Sequence, residues 1–191
     1  MARFLKTKRE LLVLTLALIT TVSSNAQQTN LLPEWKEGYL DIHFISTGAG
    51  NCAFAVFPDG TTMLIDAGEL DPTSPRVLSP RNTRRYPNYS KLGFQWQADY
   101  ILSMFPKGRT PVLDYALISH FHDDHCSLES LNLLDRKTPI YMYCLFDNFF
   151  SMIRDLGFQN VFRLEIDKAV QVGSIEVIPR RALDADVDSM F

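Results

Sequence analysis

The apolar segment Val112–Ser119 constrains the fold of this chain more than any other feature, because it runs directly into a cluster of histidines and acids. Its residues are apolar almost throughout, which is typical of a strand that is buried on both faces of a sheet. A polar cluster directly after such a strand lies at a strand end, where functional side chains often occur. The segment therefore predicts a buried strand followed by a functional loop.

Periodic segments on both sides of this strand predict the rest of the fold. The alternation in Leu40–Ser46 predicts a strand with one buried face, and Cys52–Phe57 and Thr61–Asp66 flank a Pro-Asp-Gly turn that predicts a hairpin. Later patterns predict a helix at Trp96–Phe105, a helix through Ser127–Leu134, a strand at Pro139–Cys144, a helix at Asp147–Leu156, a strand at Val161–Ile166 and a hairpin at Ala169–Ile178. We therefore expect an α/β layered domain with a mixed sheet.

The first residues resemble an export signal rather than part of this domain. A cationic stretch that includes Arg3 and Arg9 precedes the apolar run Leu11–Val22, and Ser24-Asn25-Ala26 supplies the small residues of a cleavage site. The apolar run is shorter than the about 20 residues that a stable membrane span needs, so a retained anchor is the weaker interpretation. We expect a signal peptide at 1–26, a leader at 27–38, a domain at 39–191, and a protein exported to the periplasm or secreted.

The charge balance excludes a general attraction to polyanions. The chain has 19 Lys and Arg against 22 Asp and Glu, a net charge of −3, so a nucleic-acid partner would need a local site. The segment from Leu70 to Lys91 is rich in proline and arginine, and it is interpreted as a solvated surface loop or as a basic lip that receives an anionic substrate.

The histidine cluster has the composition of a metal site. In an extended chain His120 and His122 point to the same side and can bind one ion. Asp124 and His125 point apart unless the backbone turns there, in which case they can serve a second ion. Imidazole and carboxylate ligands suit Zn²⁺, Fe or Mn, and the alternative is a set of surface histidines on a polar turn.

The H-x-H-x-D-H pattern of residues 120–125, placed after an apolar strand, resembles the signature of the metallo-β-lactamase superfamily of metal-dependent hydrolases. Residues Ile42–Gly68 resemble the opening of a branch similar to the soluble hydrolase domain of the DNA-uptake competence channel. That branch usually reads Val-Gly-Gln-Gly-Asp in its first loop, whereas this chain has Thr47, Ala49 and Asn51 at three of those places.

The resemblance implies roles for five residues. Asp66 would support the metal ligands from a strand end, His120 and His122 would hold one ion, and Asp124 and His125 would hold the other. Two Zn²⁺ ions are expected in a complete site, with Mn or Fe as alternatives. Asp124 would also act in catalysis by orienting a metal-bound hydroxide.

The segment after the cluster departs from the family pattern. The family normally has two small glycines there, whereas this chain has Cys126 and Ser127. Cys126 is interpreted either as a metal ligand or as a bystander, and the bystander is favoured because metal-site cysteines usually come with a recognisable spacing. The three cysteines have no close pair and permit at most one disulfide.

The resemblance also implies an αββα sandwich, of which this chain would contain the first half and the start of the second. The family completes its site with later histidines, and no histidine follows His125. We therefore expect a C-terminally truncated chain, with a deliberately minimal variant as the competing interpretation, and weak catalysis by the chain as given.

The expected function is that of an exported metal-dependent hydrolase of a phosphodiester or similar ester, on a small-molecule or phosphodiester substrate. The alternative is a non-catalytic metal-binding or interaction protein that retains part of the hydrolase fold.

Overall fold

The structure is a computed structural model that describes residues 32–47, 50–69 and 90–181. The expected signal peptide, most of the proline-rich segment and the last ten residues lie outside these ranges. The described residues from Glu34 onward belong to one compact unit. Within the described ranges, no helix has both the length and the apolar character that a membrane span requires.

In the part of the chain that the structure describes, six strands form one mixed sheet in the order β1 to β6. Strands β1 to β3 pair antiparallel, and β3 to β6 pair parallel. Their bounds are β1 Asp41–Phe44, β2 Cys52–Val56, β3 Thr62–Ala67, β4 Tyr115–Ile118, β5 Ile140–Met142 and β6 Val161–Arg163. The predicted mixed α/β architecture is therefore present, and the αββα sandwich stays a prediction.

Helices pack against one face of this sheet. Helix α1 spans Gly93–Ser103, α2 spans Leu128–Leu131 and α3 spans Asp147–Asp155. The residues that share the resulting core include Phe54, Leu64, Ile118 and Met142 from the sheet and Ile101, Leu131 and Ile153 from the helices. Helix α2 is shorter than the predicted helix: the Ser127 hydroxyl accepts a hydrogen bond from the Ser130 N–H at its start, and α2 ends at Leu131.

The opposite face of the sheet is only partly covered, which corrects one expectation. Strand β4 was expected to be buried on both faces, but Ala116 and Ile118 are buried whereas Tyr115 and Leu117 are half-buried. A two-stranded hairpin, β7 Val170–Val172 and β8 Ile175–Val177, contacts this second face, and a Cβ built on Gly173 would lie 2.9 Å from the Tyr115 hydroxyl.

A polar network joins the starts of β3 and β4. Thr62 is fully buried, and both its backbone N–H and its hydroxyl donate to Asp114 Oδ2 at 2.8 Å. Asp114 in turn receives two hydrogen bonds from the Arg109 guanidinium, at 2.9 and 3.0 Å. The network thus pairs the partly buried Asp114 carboxylate with the Arg109 guanidinium at the start of the parallel strand pair β3 and β4.

We expect the substitution Thr62→Val to lower the free energy of unfolding by about 1–3 kcal/mol, because it removes one donor to Asp114 and leaves the Asp114 N–H without its acceptor. Chemical denaturation measures this. Thr110→Val is the matched control at an exposed threonine and should change little. Equal effects of the two substitutions would contradict the role assigned to the network.

Candidate metal centre

The histidine cluster lies at the carboxyl edge of the parallel strands. Strand β4 ends at Ile118, and the chain then makes a turn in which the N–H groups of His125 and Cys126 both donate to the His122 carbonyl, at 2.8 and 2.7 Å. This is the turn that the sequence required for Asp124 and His125 to face a common point. Strand β3 runs parallel to β4, so its last residues lie at the same edge.

Backbone contacts hold this turn against the ends of the neighbouring strands. The Asp124 carbonyl accepts a hydrogen bond from the Asn51 N–H at 2.7 Å. A Cβ built on Gly68 would lie 1.8 Å from the Asp124 carbonyl oxygen, and one built on Gly50 would lie 2.6 Å from it. Both positions therefore require glycine because the backbone of the turn occupies the side-chain space.

Three side chains of the cluster converge. His120, Asp124 and His125 each offer a donor atom, and these atoms all lie within 4.8 Å of one another. The His125 Nε2 atom is 3.8 Å from Asp124 Oδ2, and the ring centroids of His120 and His125 are 3.9 Å apart. These distances between the donor atoms are short enough for the three side chains to bind one ion.

His122 lies beside this group without belonging to it. Its ring centroid is 4.9 Å from that of His120, and it also packs against Phe121 at 4.7 Å. The structure thus groups His120 with Asp124 and His125, which differs from the two-ion assignment that the resemblance implies. Joint binding of one ion by His120 and His122 stays a prediction.

Asp66 and Ser119 orient the two histidines of the donor group. Asp66 is 5% exposed, and it accepts hydrogen bonds from the Ser119 N–H and hydroxyl at 2.7 and 2.9 Å. Asp66 Oδ2 also lies 2.9 Å from His125 Nδ1, and the Ser119 hydroxyl lies 3.1 Å from His120 Nδ1. A carboxylate only accepts, so the Ser119 hydroxyl donates to Asp66 and its lone pairs face the Nδ1–H groups. In the neutral rings this network places the proton on Nδ1 and leaves Nε2 available to a metal.

The two histidines have pKa values shifted in opposite directions. Burial lowers the pKa of His120, and the neighbouring His125 and His122 rings lower it further. Burial also acts to lower the pKa of His125, but the hydrogen bond and charge of Asp66, with the charge of Asp124, outweigh it and raise that pKa. A metal bound through His125 would have to displace the proton of the charged ring in acid, so its affinity would fall as the pH falls.

Cys126 has the environment of a structural thiol. It is 1% exposed and does not belong to the three-donor group, and burial raises the pKa of its thiol to about 12. A neutral, enclosed thiol is a poor ligand, because metals bind the thiolate. These observations favour the bystander interpretation.

The donor set fits a divalent metal ion. Two imidazoles and one carboxylate suit Zn²⁺, Mn or Fe, and three protein ligands are the usual number in catalytic zinc sites. The roles of Ser119, Gly50 and Gly68 were not predicted from the sequence. Ser119 adjoins the motif, but its partner Asp66 lies 53 residues away, so no local pattern indicates the contact.

The chain was compared with known protein families, curated proteins and solved structures, and a similarity was found to a solved structure. No model of a protein family matches the chain, and no curated protein matches it. The structure is similar to the crystal structure of a possible metal-dependent hydrolase from Veillonella parvula DSM 2008, with 18% sequence identity and a TM-score of 0.43. The match covers 74% of this chain and 47% of that chain, so the chain spans about half the length of that protein.

We expect Gly68→Ala to weaken metal binding by at least about tenfold, because the added methyl group must push the Asp124 carbonyl away and thereby move two ligands. Titration with Zn²⁺ measures the affinity. Gly108→Ala is the control for a backbone effect without a clash: Gly108 has a positive φ, which Gly68 does not, and a Cβ there meets no atom within 4 Å. Unchanged zinc affinity in Gly68→Ala would contradict the conclusion that the close contact between Gly68 and the Asp124 carbonyl positions the donor side chains.

We expect Cys52 and Cys126 to resist alkylation at pH 8 in the native protein and to react fully in denaturant. Both are buried, and burial raises the pKa of each thiol to about 12, so almost no thiolate exists at pH 8. Mass spectrometry after iodoacetamide treatment measures the modification. Cys126→Ala should keep the metal affinity of the parent protein, and a loss of affinity would indicate that Cys126 is a ligand.

Proposed function

We propose that this protein is an exported metal-dependent hydrolase that cleaves a phosphodiester or similar ester. The observation that carries the proposal is the convergence of His120, Asp124 and His125 at the carboxyl edge of a parallel sheet. Side chains at that edge are held by rigid strands yet remain open to a ligand.

In this proposal three residues of the chain bind the metal ion. His120 and His125 would hold the ion through Nε2, and Asp124 would hold it through a carboxylate oxygen. A divalent ion in such a site, expected to be Zn²⁺ with Mn or Fe as alternatives, supplies Lewis acidity and lowers the pKa of water.

The second carboxylate oxygen of Asp124, which would not bind the ion, could orient an attacking water molecule and accept its proton. Its side chain is partly exposed, so water has access to it. Asp66 is buried and paired with Ser119, so it keeps the histidines in one orientation and takes no direct part in the reaction.

The substrate class follows from the same chemistry. A phosphodiester places negative oxygens next to a cationic centre, where they are stabilised as charge develops. Export is proposed from the N-terminal cationic and apolar segments alone.

One observation favours the alternative of a non-catalytic metal-binding protein. All three donors come from the short segment 120–125, and the neighbouring His122 stands outside the group. Ligands from a single turn can hold an ion without a second set of groups to position a substrate.

We expect the purified protein to bind Zn²⁺ and to hydrolyse bis(p-nitrophenyl) phosphate, and we expect His120→Ala and Asp124→Ala to lower both the metal content and the turnover. The loss of affinity should be at least about tenfold, because each substitution removes one of three ligands. Elemental analysis and release of p-nitrophenol measure the two properties.

His43→Ala is the matched control for metal content, since His43 hydrogen-bonds to the Tyr100 hydroxyl at 2.9 Å and does not belong to the donor group. Metal binding that needs His120 together with turnover that needs Asp124 supports the hydrolase. Bound metal with no turnover in the parent protein supports the alternative.

A further inference from the structure

Helix α1 begins without a local acidic or hydroxyl side chain to accept from its first N–H groups. Its N-cap residue is Leu92, whose apolar side chain cannot accept a hydrogen bond, and no acidic residue lies in its first turn. The Gln95 side chain accepts from the Leu92 N–H at 2.9 Å, but this contact does not satisfy the N–H of Phe94, the second residue of the helix. The Phe94 N–H therefore needs an acceptor from another part of the chain.

Glu69 supplies that acceptor from 25 residues away. Its Oε2 atom accepts a hydrogen bond from the Phe94 N–H at 2.8 Å. Glu69 follows the end of β3 and is half-buried. A carboxylate at this end of a helix also interacts favourably with the helix dipole. The Glu69 side chain therefore joins the start of α1 to the carboxyl edge of the sheet.

The backbone of the same segment, residues 67–69, holds the turn that carries the candidate donors. The Ala67 N–H donates to the His125 carbonyl at 2.8 Å, and the Glu69 N–H donates to the Asp123 carbonyl at 3.0 Å. These two hydrogen bonds lie on either side of Asp124, whose carbonyl is in close contact with Gly68. Residues 67–69 thus fix the backbone that presents two of the three donor side chains.

We propose that Glu69 is a positioning residue for the candidate metal centre. Its carboxylate anchors residues 67–69 to α1, and these residues in turn hold the backbone on both sides of Asp124. Glu69 does not belong to the donor group, so it acts through the turn and not on the ion itself. The proposal rests on the proposed function, because it takes the donor group to be a metal centre, and it adds a residue outside the H-x-H-x-D-H pattern.

Two substitutions at Glu69 separate the hydrogen bond from the charge. Glu69→Gln and Glu69→Ala both remove the negative charge, but the glutamine keeps an oxygen that can accept from the Phe94 N–H. We expect Glu69→Ala to weaken Zn²⁺ binding about fivefold and Glu69→Gln to restore the affinity to within about twofold of that of the parent protein. Competition with a chromophoric zinc chelator measures the affinity.

Two control variants test whether charge or stability alone explains the effect. Glu37→Ala removes the same charge from an exposed glutamate and should leave the zinc affinity unchanged. Thr62→Val lowers the stability at the opposite end of β3, where Thr62 contacts Asp114, and should also leave the zinc affinity unchanged. A loss of affinity in either control that equals the loss in Glu69→Ala would overturn the proposal.

Amide hydrogen exchange, followed by NMR, tests the proposal on metal-free protein. In Glu69→Ala the Phe94 N–H should exchange at least about tenfold faster, because it loses a hydrogen bond to a charged acceptor. The N–H groups of His125 and Cys126, which donate to the His122 carbonyl, should exchange about threefold faster, because the turn loses its anchor. Glu69→Gln should restore slow exchange at all three positions. Faster exchange at Phe94 alone would show that Glu69 only caps α1, and it would overturn the proposal.

The same measurements distinguish failure of this proposal from failure of the proposed function. A parent protein that binds no Zn²⁺ would overturn the proposed function, and the exchange at His125 and Cys126 would still decide whether Glu69 positions the turn. Zinc affinity that is equal in Glu69→Ala and the parent protein, or equally low in Glu69→Ala and Glu69→Gln, would overturn the role of the Glu69 hydrogen bond alone.

Discussion

The close approach of the Asp124 carbonyl to Gly50 and Gly68 is the constraint on which the candidate site depends. The carbonyl occupies the space of two missing side chains, and the Asn51 N–H satisfies it from the neighbouring loop. A buried backbone carbonyl needs such a partner, so the turn has one favourable position against the strand ends. That position brings the side chains of Asp124 and His125 to the same point as His120.

A second layer of polar contacts makes this arrangement chemically useful. Asp66 is almost fully buried, and burying a carboxylate is costly unless hydrogen bonds satisfy it. Ser119 and His125 provide those hydrogen bonds, and in doing so they fix which nitrogen of each ring faces outward. The contacts that stabilise the buried Asp66 carboxylate therefore also fix the orientation of the histidine rings.

The segments that surround the candidate metal centre come from different parts of the chain but share one edge of the sheet. The donor side chains belong to a single turn after β4, whereas Gly50 follows β1 and Gly68 follows β3. Strands β1 and β3 both run antiparallel to β2, so their carboxyl ends lie at the edge where β4 also ends. Sheet topology thus brings the segments that follow β1, β3 and β4 together around the donor group.

The sequence by itself determined the local elements and the composition of the site. Period-two alternation and turn residues located β1 to β3, and the density of histidines and acids in residues 120–125 predicted the candidate donor residues, because both signals are short-range. Tertiary structure decided how those residues are grouped. The expectation that His120 and His122 share an ion rests on alternation in an extended chain, and it stays a prediction. In the structure β4 ends at Ile118 and the backbone turns after His122, and this turn brings Asp124 and His125 beside His120. Tyr115 and Leu117 are half-exposed because only part of the second face of the sheet is covered. The contact between Asp66 and Ser119 depends on strand pairing between residues that are 53 positions apart in the sequence.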